Sequence, residues 1–487
     1  MILEQVRKEA SAKLDQQRRG ELGQFMTPSH IARFMANLFT PIDLNSLYLL
    51  DPGAGVGSLS VAFLDRWASG GLPLNHVSIT AYEIDNMLRE QLSQTFSDYS
   101  SRKNFATQIM AEDFIEDAVN QIKTGNPKRF THVILNPPYK KINSNSQHRL
   151  LLRHVGIETV NLYSAFLALS LELLAPSGQL VGIIPRSFCN GPYYRPFREF
   201  LLERAAIRHI HLFESRSKAF RDDNVLQENV ILALERSGKQ GDVTISTSTD
   251  DSFSDMATHN YPFDHIVFPD DAECFIHVPS SPESETADMS PAIRYSLHDL
   301  GITVSTGPIV EFRSKEHIRH VPERGDVPLL YPGHFTGMRI KWPKASKKIP
   351  NAIHRNADTE KQLYPIGYYC VVRRFSSKEE RHRIMASIVE PVTLPNTTMV
   401  GFENHLNVFH ANKKGLPGTI VRGLAVFLNS TVVDKQFRRF NGHTQVNATD
   451  LRSLKYPSRR HLQQLGQRTR GKVMDQDMID RLIGELQ

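Results

Sequence analysis

Apolar residues recur at helical spacing at Ile2, Val6, Ala10 and Leu14, with charges between them and Gly20 beyond, which predicts an N-terminal helix over 2–19. A second helix is predicted after Thr27-Pro28, a cap followed by a first-turn proline, with Ile31, Phe34, Met35 and Leu38 on one face. From residue 47 the pattern changes to short apolar runs that end in polar or glycine-rich turns. These runs are 47–50, 77–82, 106–110, 132–135, 178–184, 207–213 and 229–234, and helical stretches such as 58–67 and 163–174 fall between them. Alternating strands and helices predict an α/β fold, a mostly parallel seven-stranded sheet whose last two strands form a hairpin. Its polar turns sit at the carboxyl ends of strands, where open α/β sheets bind ligands.

The alternation fades after residue 245. Residues 250–289 hold ten acidic residues and no Lys or Arg, and this stretch is read as a junction over 246–298. Beyond it, apolar pieces such as 328–331, 368–372 and 424–428 stand among Gly/Pro breaks, which predicts an irregular α+β domain over 299–487. The expected organisation is therefore a catalytic domain over 1–245 with an N-terminal helix, the junction, and a second domain. At roughly 100–200 residues per domain, the 487 residues fit that division.

Composition adds little until its distribution is considered. Hydrophobic residues are 40% and charged residues 23%, ordinary for a globular chain. The net charge is only +6, yet residues 412–487 carry fourteen Lys/Arg against six Asp/Glu. Such asymmetry suits a polyanion-binding part, although any one basic cluster also fits a solvated face. The three cysteines, Cys189, Cys274 and Cys370, are scattered and odd in number, which fits a reducing compartment. The twenty histidines contain no HxxxH or HExxH pair, so no metal is expected. No apolar run approaches a membrane span, and a cytoplasmic protein is expected.

Two turns carry the candidate chemistry. Asp51-Pro52-Gly53-Ala54-Gly55-Val56-Gly57 joins a strand to a helix, and its glycines let backbone approach a ligand. Taken alone it could be a plain tight turn. Asp51, Glu83 and Asp113 each follow a successive strand, an arrangement suited to an ammonium group, two ribose hydroxyls and an adenine amino group. S-adenosyl-L-methionine carries all three. The second turn, Asn136-Pro137-Pro138-Tyr139, follows a buried strand. Its prolines lack N–H donors, so the Asn136 side-chain oxygen and the Pro137 carbonyl can accept both protons of one planar amine while Tyr139 stacks on its ring.

With these motifs in this order, residues 20–235 resemble the catalytic domain of the gamma class of S-adenosylmethionine-dependent DNA amino-methyltransferases. The resemblance implies a Rossmann-like methyltransferase domain and identifies further positions. Phe25, Thr27 and Pro28 match the N-terminal cofactor segment, Gly53, Gly55 and Gly57 the glycine-rich motif, and Glu83, Asp113 and Phe114 the ribose- and adenine-contacting positions. Asn136, Pro137, Pro138 and Tyr139 match the catalytic tetrapeptide, with Asn136 also beside the cofactor. Phe220 matches the ring that covers the other face of the flipped base.

Segments 371–380, 401–407 and 441–451 resemble type II modification methylases of the family that recognises CTGCAG, which implies a DNA target recognition domain. Arg373, Arg374, Lys378, Arg438, Arg439, His443, Gln445 and Asn447 are its candidate DNA contacts, since Arg, Asn and Gln offer bidentate hydrogen bonds to bases and phosphates.

The resemblance implies transfer of methyl from S-adenosyl-L-methionine to N6 of a flipped-out adenine in duplex DNA, leaving S-adenosyl-L-homocysteine. It also implies a restriction–modification system whose cognate endonuclease is a genetic partner. The same amino chemistry serves N4 of cytosine. A protein-glutamine methylase, or a DNA-binding specificity module with an inactive catalytic half, is a further alternative.

Overall fold

The structure is a computed structural model that describes residues 5, 7, 26–42, 44–73, 75–125, 127–213, 228–279, 290–346, 348–377, 380–394, 397–441 and 444–486. The helix predicted over 2–19 thus lies, but for the helical Gln5 and Arg7, outside the described residues. The chain divides into two compact units, Met1–Ser280 and Ser281–Gln487.

The first unit is built on a nine-stranded sheet: β1 (Ser46–Asp51), β2 (His76–Tyr82), β3 (Phe105–Met110), β4 (Phe130–Leu135), β5 (Leu174–Pro185), β6 (Ala205–Phe213), β7 (Asn229–Arg236), β8 (Val243–Ser248) and β9 (Ala257–Tyr261). Their order is β3-β2-β1-β4-β5-β7-β6-β8-β9. The first five strands run parallel, with Leu50 opposite Thr80 and Val133. β7 enters antiparallel between β5 and β6, which makes the expected hairpin.

The described helices of this unit include α1 (Ser29–Asn37), α2 (Ser58–Ala68), α3 (Asn86–Ser97), α4 (Phe114–Lys123), α5 (Gln147–His154), α6 (Leu162–Leu173) and α7 (Arg195–Arg204). Successive strand residues point to opposite faces, and the apolar runs serve both. Leu49 and Ile134 join one buried cluster with α1 and α2, while Leu50, Val133 and Leu135 join the other with α4 and α6. A strand buried on both faces needs the unbroken apolar run seen in the sequence.

Two boundaries differ from expectation. The sheet has nine strands rather than seven, and the stretch expected to be a junction from 246 holds the end of β8 and all of β9. β8 runs parallel to β6 with His209 opposite Thr244, and Phe275, Ile276 and Val278 are buried. Among the described acidic residues, Asp250, Asp251 and Asp255 lie in the turn between β8 and β9, and Asp264 and Asp270 are exposed beyond β9, so composition concealed the strands. The unit boundary falls at 280/281.

The second unit is irregular α+β, as expected. A four-stranded antiparallel sheet orders Thr303–Thr306, Leu406–His410, Tyr369–Arg373 and Ala386–Val389. A mixed five-stranded sheet contains Asp326–Leu330 and Met399–Phe402. Helices Gly418–Leu428 and Arg459–Arg468 pack tightly, because Gly423 and Gly466 bring backbone against backbone. A Cβ on Gly423 would collide with the Leu462 carbonyl, and one on Gly466 with that of Thr419.

Candidate active site

The chain leaves β1 toward β2 and β3 on one side and, from β4, toward β5 on the other. This reversal opens a crevice at the strand carboxyl ends. A cavity of about 390 Å3 lies there, with Gly53, Glu83, Asp113, Phe114, Asn136 and Pro138 in its wall. Its volume is within the usual range for small-molecule sites.

The glycine-rich turn forms the floor. Gly55 and Gly57 have φ of 54° and 90°, the left-handed region that Gly enters without penalty. Gly57 is also crowded: a Cβ would stand 2.8 Å from Leu92 Cδ1. Asp51 is fully buried behind this turn and is not among the residues lining the cavity. Its Oδ2 accepts from the Ser60 hydroxyl at 2.7 Å, and Oδ1 has no hydrogen bond of normal geometry among the described residues. Burial pushes its carboxyl up to about 7, against the lowering effect of Ser60 and the Gly53 N–H. The expected ammonium-binding position is therefore set back from the wall, because Asp51 turns to the start of α2.

Glu83 does face the cavity. Its Oε2 accepts from Gly55 N–H at 3.0 Å and its Oε1 from Asp85 N–H at 2.8 Å, which ties β2 to the glycine turn. Burial raises its carboxyl above the usual range, partly offset by those two donors. Each oxygen keeps a lone pair for a further donor.

Asp113 caps α4: Oδ1 accepts from Ile115 N–H (2.8 Å) and Glu116 N–H (3.1 Å). Its Oδ2 lies 3.2 Å from His148 Nε2. Burial would raise Asp113, but the hydrogen bond and charge of His148, with the two capping donors, hold it below the usual carboxylate range. The Asp113 hydrogen bond in turn raises His148. Phe114 stands edge-on to Tyr82, ring centroids 5.2 Å apart, and 5.1 Å from Phe166.

His148 was not legible as a site residue. It sits on α5, and the segment carrying it is pinned at its base by Ile142 N–H to Val160 O (2.8 Å) and Leu162 N–H to Lys140 O (2.8 Å). Lys140, Lys141 and His148 wall the cavity. Helix amphipathicity around Leu152 was the available signal.

At the Asn136 corner, Asn136 Nδ2 donates to Thr27 Oγ1 at 3.0 Å. Thr27 thus serves the corner, and Pro28, not Thr27, occupies the N-cap of α1. The Tyr139 hydroxyl lies 3.1 Å from Asn136 Oδ1 and 3.2 Å from the Ile183 carbonyl on β5. Burial holds that phenol far above its ordinary value. Pro137 is buried, and neither it nor Tyr139 is among the lining residues. The two turns meet: a Cβ on Gly53 would stand 3.9 Å from the Asn136 carbonyl oxygen. Phe25 and Phe220 lie outside the described residues.

In the second unit the expected DNA contacts are mostly engaged internally. Arg373 pairs with Glu380 (2.9 Å) and Arg438 with Asp434 (2.7 Å). Arg374 reaches Asn404 O and Gln445 Oε1 at 3.3 and 3.5 Å. Asn447 forms a reciprocal cap with Asp450, and Arg439 is half-buried. Lys378 and His443 lie outside the described residues. Among the described residues no group of three His, Cys, Asp or Glu could hold a metal, and no helix is long and apolar enough to cross a membrane.

Comparison with known proteins places this geometry. The Eco57I restriction-modification methylase family matches residues 46–220, which include β1 through β6 and the Asn136 corner. The type II methyltransferase M.BsuBI of Bacillus subtilis is 54% identical over 454 residues, 92% of this chain and 90% of that protein. M.PstI of Providencia stuartii is 41% identical over 493 aligned residues, 100% of this chain and 96% of that protein. The structure of the type IIL restriction-modification enzyme MmeI in complex with DNA aligns with a TM-score of 0.50 over 94% of this chain and 71% of that one. At 11% identity that likeness concerns fold alone.

The class is therefore that of the DNA methyltransferases of restriction–modification systems. Within it, the chain belongs to the type II methyltransferase family that includes M.BsuBI and M.PstI.

Proposed function

We propose that the protein transfers a methyl group from S-adenosyl-L-methionine to N6 of an adenine turned out of duplex DNA. The mark would protect that DNA from a restriction endonuclease of the same specificity, with CTGCAG the site to test first. The observation that carries the reading is the meeting of the two turns: Gly53 and Asn136 line one cavity, with their backbones in near contact.

The residues present fit the cofactor. Glu83 keeps acceptor capacity for ribose hydroxyls, the Phe114 and Phe166 rings offer an apolar surface for a purine, and Asp113 Oδ2, already beside His148, has a second lone pair for an amino group. Bound there, S-adenosylmethionine supplies a methyl carbon made electrophilic by positive sulfur.

The chain's own residues then orient the amine. Asn136 Oδ1 and the Pro137 carbonyl accept its two protons, which draws the nitrogen lone pair out of conjugation and aims it. The Tyr139 hydroxyl has one proton and two acceptors within reach, so turning it to Ile183 O clears Asn136 Oδ1 for the substrate. Extrusion of the base costs a few kcal/mol, and stacking on aromatic rings returns about 1–3 kcal/mol per base. Tyr139 and Phe220 are the rings assigned to that stack.

Incubating unmodified plasmid with the protein and methyl donor, then sequencing for modified bases, tests the proposal. N6-methyladenine at one short sequence is expected. N4-methylcytosine would keep the amine corner and replace the base, and unmodified DNA would refute the reading.

A further inference from the structure

In the second unit, three segments far apart in sequence close on one another. Arg374 N–H donates to His405 O at 2.9 Å, Val446 N–H to Arg374 O at 2.7 Å, and Ser376 N–H to Thr444 O at 3.0 Å. Residues 374–376 are thus held by backbone between 404–405 and 444–446. Arg374 adds side-chain bonds to Asn404 O and Gln445 Oε1.

From this braced strip two rings emerge together. Phe375 is 45% exposed, unusual for a phenylalanine whose neighbours on both sides are hydrogen-bonded in place. The His405 ring packs against it, centroids 5.0 Å apart at 52°. The His405 side chain is 46% exposed, yet its Nδ1 lies 2.6 Å from Oε1 of Glu403, whose side chain is 0% exposed. Glu403 Oε2 also accepts His405 N–H at 2.8 Å.

Burying a carboxyl carries a desolvation cost that an apolar residue in the same space would not, and burial here raises Glu403 above the usual carboxylate range. What Glu403 gains is control of a histidine. The close approach of Glu403 Oε1 to Nδ1 restrains the ring, and on a half-exposed imidazole Nε2 is the nitrogen left for an outside partner. Neutral, Nε2 accepts a hydrogen bond; protonated, it donates one. Those are the two functions presented by base edges in the DNA grooves. Phe375 beside it supplies apolar contact to a base. Arg381, near Phe375 in sequence, is exposed and complements a phosphate backbone.

We propose that Phe375 and His405 form a base-contacting element of the DNA recognition surface, with Glu403 as the positioning residue that orients His405. This rests on duplex DNA being the substrate, and not on which base receives the methyl group.

The test uses the full-length protein and the duplex site found by modified-base sequencing, with a set of duplexes each altered at one base pair. Competition binding at fixed salt and methylation kcat/KM are measured for wild type, His405→Ala, His405→Gln, Phe375→Ala, Phe375→Leu, Glu403→Gln and Glu403→Ala. Cofactor affinity and thermal melting report on folding. His405→Ala should lose about tenfold or more in discrimination at one base pair, with cofactor affinity unchanged. Phe375→Ala should weaken cognate binding by about tenfold, and Phe375→Leu less. Glu403→Gln, which can still accept from Nδ1, should retain discrimination that Glu403→Ala loses.

Wild-type discrimination in both His405 variants would overturn the proposal, as would an equal loss on every duplex. Wild-type binding by both Phe375 variants would remove Phe375 from the element. Methylation of cytosine instead of adenine would leave these binding ratios readable, so it would count against the proposed reaction and not against this surface.

Discussion

Asn136 is where the site is most sensitive to a single atom. Its Nδ2 donates to Thr27 Oγ1 and its Oδ1 accepts from the Tyr139 hydroxyl, so the amide is held at both ends. Asn136→Ala removes the acceptor and spares the cavity wall behind it. Turnover should fall by at least about a hundredfold, as when one transition-state hydrogen bond is deleted, while cofactor and DNA affinities stay within a few-fold. Single-turnover methylation alongside equilibrium binding checks this, and undiminished turnover would remove Asn136 from the chemistry. Asp51 gives a prediction of opposite kind. Its folded pKa of about 7 lies above the ordinary 3.8, so the fold favours the neutral acid. The stability it contributes is complete below about pH 3.8 and is lost as pH rises through 7. Asp51→Asn cannot ionise. Its melting temperature should rise relative to wild type between pH 6 and 8, and an unchanged difference across that range would show that folded Asp51 is already ionised below pH 6.

At the scale of elements, the tightest joint is the crossing of helices Gly418–Leu428 and Arg459–Arg468. Gly423 and Gly466 each abut the partner helix's backbone, so Gly423→Ala or Gly466→Ala must push the helices apart. Such overpacking costs about 1–3 kcal/mol. Denaturant unfolding should show it for each variant, and wild-type stability would mean that the helices separate freely. The strands around the active site were legible because β1 and β4 are buried on both faces and read as unbroken apolar runs. β8 and β9 were not. They lie at the end of the sheet, they are short and largely polar in sequence, and the residues that follow β8 and β9 are acidic. α5 escaped notice because its anchor, Leu152, has meaning only once the segment folds back over the cavity. Charge was equally ambiguous. Arg373, Arg374 and Arg438 look alike in sequence whether they face DNA or bond to Glu380, Gln445 and Asp434, since those partners are set by folding.

Across the molecule, acid should act first on the unit carrying the large sheet. Burial lowers His132 and His211 to about 3 and His209 to about 4, with the Arg66 charge adding at His132 and His209 at His211. Folded values below the ordinary 6.5 mean that these groups contribute stability above about pH 6.5, lost as pH falls toward 3 to 4. Melting followed from pH 7 to 4 should therefore show a cooperative loss that His211→Gln reduces; an equally steep loss in that variant would place the sensitivity elsewhere.

The seat of β7 carries a consequence for how the chain comes to life on the ribosome. β7 lies between β5 and β6 although it is made after both, so nascent β5 presents a bare edge until residues 229–236 emerge. Tyr139 leans on the Ile183 carbonyl of that same strand. The Asn136 corner therefore leans on a strand 44 residues further along the chain, whose own outer edge is closed only when β7 pairs with it.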